Sequence, residues 1–144
     1  MLTLIQIQQR LVSFFENHAQ VNSVTTLDQR ELDAQRDVTY PAVNLEYQDT
    51  SVSANMVNHV FLVTIGDRVG EDRSDLQLSV ISDSLLVAED FLTYLQYAEG
   101  WVFNRTTSIQ NFKDDGPDRV SGVVFRITIG VVRSQNECAT PTKS

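Results

Sequence analysis

The chain has 144 residues, 42% of them hydrophobic and 21% charged, with a formal net charge of −8. That length holds one core, the apolar content excludes a disordered chain, and no apolar run approaches the roughly 20 residues of a membrane-spanning helix. The surplus of acid argues against a protein that grips phosphates, which requires clustered Lys and Arg, and a single cysteine, Cys138, excludes an internal disulfide.

The opening MLTLIQIQQRLVSFFENH lacks the basic start and small-residue cleavage site of a secretory signal. Its spacing predicts an amphipathic helix over residues 4–17 instead. Thr3 and Gln6 have the spacing of a capping box, and Leu4, Ile7, Leu11 and Phe14 recur at three- and four-residue intervals, widened by Ile5, Val12 and Phe15. The β-branched VNSVTTL, residues 21–27, reads as a short strand. The segment DQRELDAQRD follows, with almost nothing to bury, and reads as a solvated loop or an arm that meets a partner.

Pro41 opens the next strand, where a missing N–H is tolerated. Val43, Leu45 and Tyr47 alternate there with Asn44, Glu46 and Gln48, as in a half-buried strand. The polar stretch DTSVSAN, residues 49–55, predicts the turn of a hairpin, and MVNHVFLVTIGDR its returning strand. Val57, Phe61, Val63 and Ile65 lie on one face of that strand, and Met56, Val60 and Leu62 on the other. Such a strand is central, or is covered on its second face by a helix or another subunit.

Ser74 and Gln77 repeat the capping-box spacing ahead of a long helix, and Asp72 and Asp75 suit the positive end of its dipole. Leu78, Ile81, Leu85, Ala88, Leu92 and Leu95 form its expected core stripe, with Gly100 beyond its end. Val80, Val87, Phe91 and Tyr94 fall off that stripe, and either widen the core face or meet another copy. WVFNRTTSIQNF, from Trp101, reads as one strand, and the last strand sets Val123, Phe125, Ile127, Ile129 and Val131 inward. Between them KDDGPD has the residues of a polar turn, whose charges guard the apolar strand after it from edge pairing. Gly122 marks a bulge or a close backbone approach. Residues 133–144 carry no pattern and read as a flexible tail after a single α+β domain over residues 1–132.

Residues with the spacing of known chemistry are scarce. With only His18 and His59, a multi-histidine zinc site cannot be built. No Gly-rich phosphate loop, nucleophile elbow or His-Glu-x-x-His occurs. Asp114, Asp115 and Asp118 lack the order of an EF-hand loop and its distal Glu, and read as a solvated turn. His59 reads as a strand residue with a local partner. The expectation is therefore no enzyme, with no catalytic, cofactor-binding or metal-ligating residue.

The order helix, strand, charged loop, long hairpin, long helix and two strands resembles the tail-terminator or tail-completion (neck) proteins of bacteriophages. The likeness rests on the N-terminal helix, TYPAVNLEY, HVFLVTIGDR, LQLSVISDSLLVAEDFLTYLQ and the closing SIQNFKDDGPDRVSGVVFRITIGVV. It implies an α+β fold, a mainly antiparallel sheet with a long helix packed on one face and an N-terminal amphipathic helix. It also implies a virion protein, assembled in the host cytoplasm, that forms a homo-oligomeric ring of six copies. Such a ring caps the tail tube and meets the head connector while DNA passes through the lumen without specific binding, with no membrane involved.

Candidate contacts with neighbours are Asp28, Arg30, Glu31, Asp33 and Arg36 in the charged segment, Asp49 in the hairpin, and Val80, Val87 and Phe91 on the long helix. A small α+β module that binds a peptide or ligand in the groove between the long helix and the sheet is the alternative. An enzyme holding a metal on Asp114, Asp115 or Asp118 is a third reading.

Overall fold

A computed structural model describes residues 2–28, 38–69, 77–103, 107–113, 120–133 and 141. The elements in chain order are α1 (Leu4–Glu16), β1 (Ser23–Thr25), β2 (Ala42–Val52), β3 (Met56–Arg68), α2 (Gln77–Tyr97), β4 (Val102–Phe103), β5 (Ile109–Lys113) and β6 (Val120–Val132). The fold is α+β. One six-stranded sheet runs β1-β2-β3-β6-β4, with β5 also on β6, and only the β1–β2 pair is parallel.

β6 is the spine of the sheet. It pairs with β3 in unbroken register from Met56↔Val132 to Arg68↔Val120. Val123, Phe125, Ile127, Ile129 and Val131 are all buried, as their alternation predicts. Its other edge is shared by β5 at one end and β4 at the other. The single strand expected from Trp101 onward is therefore two short ones, because both lie along one thirteen-residue partner. Thr107, just before β5, donates its hydroxyl to the Arg126 carbonyl at 2.6 Å.

β3 is central, between β2 and β6. His59, Phe61, Val63 and Ile65 are buried on one face, while Met56, Val60, Leu62 and Thr64 are half-buried on the other. The hairpin turn is tighter than expected: β2 runs on through Val52, and only residues 53–55 turn. A bulge at Gln48, where the register jumps from Tyr47↔Phe61 to Asp49↔Val60, lets the polar residues stay in the strand. The Tyr40–Pro41 peptide bond ahead of β2 is cis.

Gly122 meets a real constraint. A Cβ there would stand 1.9 Å from the Ile65 carbonyl oxygen, so the β3 backbone leaves room only for hydrogen. The close backbone approach expected at this position is present.

Both helices lie on the face that β6 buries, and their apolar sides join Phe61, Val63, Phe125 and Ile127 in one core. α1 begins with a full capping box: Gln6 N–H donates to Thr3 Oγ1 at 3.3 Å, and Thr3 N–H to Gln6 Oε1 at 2.9 Å. It buries Ile7, Leu11 and Phe15, whereas Ile5, expected to widen that stripe, is exposed.

α2 is rotated from the expected stripe. Its buried residues are Ile81, Ser84, Val87, Ala88, Phe91 and Leu95. Leu78 and Leu85 are 75% and 36% exposed, while Val87 and Phe91 are at 3% and 0%. The cause is α1, which packs beside α2. Phe14 stacks on Tyr94 at 4.8 Å and lies 5.5 Å from Phe91, and Phe15 approaches Phe91 to 4.5 Å. With α1 on that side, the Val87–Phe91–Tyr94 flank becomes core and the leucine flank does not.

The α2–β4 corner is fixed by α1 as well. Gly100 has φ +100, a conformation that other residues adopt at a cost. Arg10 donates Nη1–H to the Glu99 carbonyl at 2.7 Å and lies over the Trp101 ring at 5.5 Å. Trp101 in turn donates its indole N–H to the Leu95 carbonyl.

Candidate functional surfaces

Four of the expected contact residues, Arg30, Glu31, Asp33 and Arg36, lie outside the described residues, as do Ser74, Asp114, Asp115, Asp118 and Cys138. Asp28 is exposed where the described chain leaves β1. Asp49 is exposed on β2 directly after the bulge, and its Oδ1 accepts the Thr50 N–H at 2.8 Å. Asp49 through Val52 belong to a strand, so the docking loop expected over residues 49–55 shrinks to its turn. Val80 is half-buried on the first turn of α2.

Val87 and Phe91 correct the sequence reading. Both are sealed inside this chain's own core, Phe91 between Phe15 and Phe125, and neither can touch another copy. The large apolar residues that α2 exposes are Leu78, Leu85, Leu86 and Tyr97. Leu78 and Leu85 share a flank with Leu92, which is half-buried against the core. These three leucines recur every seven residues, so they line up along one side of the helix.

The second apolar surface among the described residues is the sheet face away from α1 and α2, which is only partly covered. Met56, Val60, Leu62 and Val124 are half-buried there, and Val102 and Val132 are exposed. Arg126, exposed in the middle of this face, donates Nε–H to Gln48 Oε1 at 2.8 Å. That bond crosses β3, because Leu62 pairs with Arg126 on one side and with Glu46 on the other.

Two polar constellations lie outside the core, and the first joins residues far apart in the sequence. His18 accepts the Gln20 N–H at Nδ1 and reaches Asp90 Oδ2 with Nε2 at 2.8 Å. Ser13 lines the same groove, which suggests a Ser-His-Asp arrangement. Both ring nitrogens are already engaged, however, and none is left to take a proton from a serine. The pair clamps the end of α1 to α2.

The other is Tyr47–Thr50–His59. The Thr50 hydroxyl bonds both the Tyr47 hydroxyl and His59 Nδ1, the latter at 2.9 Å. This is the local partner expected for His59, and it braces the two strands across the bulge. Burial pushes the His59 pKa below its ordinary 6.5, since a charged ring loses hydration there.

The space expected between the long helix and the sheet is filled by core side chains. An open groove of about 640 Å³ lies instead between α1 and α2, lined by Gln6, Gln9, Phe14, Asn17, His18 and Tyr94 among others. Among the described residues no three His, Cys, Asp or Glu side chains come together as metal ligands would, and no helix is long and apolar enough to cross a membrane.

No protein-family model matches this chain, and no curated protein matches it.

Proposed function

We propose that this chain is a non-catalytic structural protein of a bacteriophage virion. Copies of it close into a ring, of six by the family's habit, in the neck or at the head-proximal end of the tail. The ring caps the tail tube and joins it to the head connector while DNA passes through the lumen. The observation that carries the reading is surplus apolar surface on the described core: the leucine flank of α2 and the sheet face away from α1 and α2. Rings bury such surface. The element order of the resemblance and the net charge of −8 support it too, since like charge keeps DNA from sticking to a channel wall.

Native mass spectrometry and negative-stain microscopy of the purified chain test this, with a closed ring as the expected particle. A monomer at every concentration, with or without tail tubes, overturns it. The groove between α1 and α2 favours the other reading, a ligand-binding module. A thermal-shift screen separates the two, because a bound ligand raises the melting temperature of a monomer by mass action.

A further inference from the structure

We infer that neighbouring copies meet head to tail, the leucine flank of α2 in one copy lying on the sheet face of the next that is turned away from α1 and α2. This rests on the ring reading and gives it an interface. The two partly covered apolar surfaces differ in shape. One is a narrow ridge, Leu78–Leu85–Leu92, and the other a broad strand surface around Leu62 and Val124. A ridge laid on a sheet is how α2 already packs against its own β3 and β6. Two unlike surfaces in contact make a heterologous interface, the kind that closes into a ring.

Charge points the same way. α2, from Gln77 to Tyr97, contains Asp83, Glu89 and Asp90 and no Lys or Arg. Glu89 stands four residues after Leu85 and three before Leu92, on the leucine flank, and is exposed. Pairing flank with flank would set both copies' Glu89 in one seam without a cation from either α2. The opposite sheet face supplies one: Arg126 is exposed there, held over the middle by Gln48, while Glu46 on the same face is half-buried. Glu89 of one copy and Arg126 of the next therefore fix the register of the contact.

A charge swap tests the pairing, read by sedimentation velocity and native mass spectrometry, with circular dichroism to check folding. Glu89→Arg and Arg126→Glu are each expected to raise the concentration needed for assembly by roughly tenfold or more. The double variant is expected to recover most of the loss. Mixing Leu85→Arg with Leu62→Arg, each unable to assemble alone, should give a one-to-one pair, because one intact flank then meets one intact sheet face. A wild-type ring that both single swaps leave unchanged overturns this interface and leaves the ring standing. Folded single variants that fail, with a double variant that fails equally, overturn the pairing. No one-to-one pair in the mixture excludes the head-to-tail arrangement, and a wild-type monomer throughout removes both proposals.

Discussion

The two flanks of α2 are both apolar in sequence and opposite in fate. Val87, Phe91 and Tyr94 lie on the packed side of the helix, whereas Leu78 and Leu85, about 150° around it, are exposed and Leu92 beside them is only half-buried against the core. A helix's own periodicity gives the width of its apolar surface. Which part of that surface becomes core depends on where the second helix comes to rest, and here a cluster of aromatic rings decides it.

The sharpest way to break the comparison is Phe91→Ala, which empties a site at the centre of the ring cluster. It should cost about 3–5 kcal/mol, measured by urea unfolding, and a loss below about 1 kcal/mol would mean that this flank is not core. Gly122→Ala tests the sheet beneath. Its Cβ has no space beside the Ile65 carbonyl, so a loss of about 3 kcal/mol is expected, read as a lowered melting temperature.

A smaller effect comes from His59, whose folded pKa is depressed by burial. Below 6.5 the unfolded chain takes up a proton on this ring more readily than the folded one does, so unfolding is favoured as pH falls. The His59 contribution is fully present above pH 6.5 and is lost as pH drops through the lower folded value. His59→Gln should flatten that part of the stability–pH curve, and an unchanged curve would show that the ring is hydrated in the native state. Least of all, Leu78→Ser on the open flank should move stability by no more than about 0.5 kcal/mol, the counterpart to Phe91 on the same helix.

Much of the fold was legible in the sequence. The strict alternation of β6, the capping box of Thr3 and Gln6, and the centrality of β3 follow from local pattern alone. The rotation of α2 was not legible, because leucines at seven-residue spacing outscore a true core face that includes Ser84. Nor was the Gln48 bulge, which needs no glycine or proline to form and so left Asp49–Val52 looking like loop. At the candidate surfaces, the exposure of Asp28 and Asp49 agreed with expectation. Val87 and Phe91, expected as contacts, are core by the same ambiguity of rotation, and the His18–Asp90 clamp joins residues 72 positions apart, which no local pattern reveals.

The hold that Arg10 has on the α2–β4 corner sets a rule for substitution at that position. Its partners are a peptide oxygen and an indole face, neither of which gains or loses a proton. Acidity that loosens the hairpin at His59 would thus leave this corner fastened. Lysine, though it keeps the positive charge, lacks the flat fork that can lie on a ring and donate sideways to an oxygen at once, so a charge-conserving exchange there amounts to a deletion.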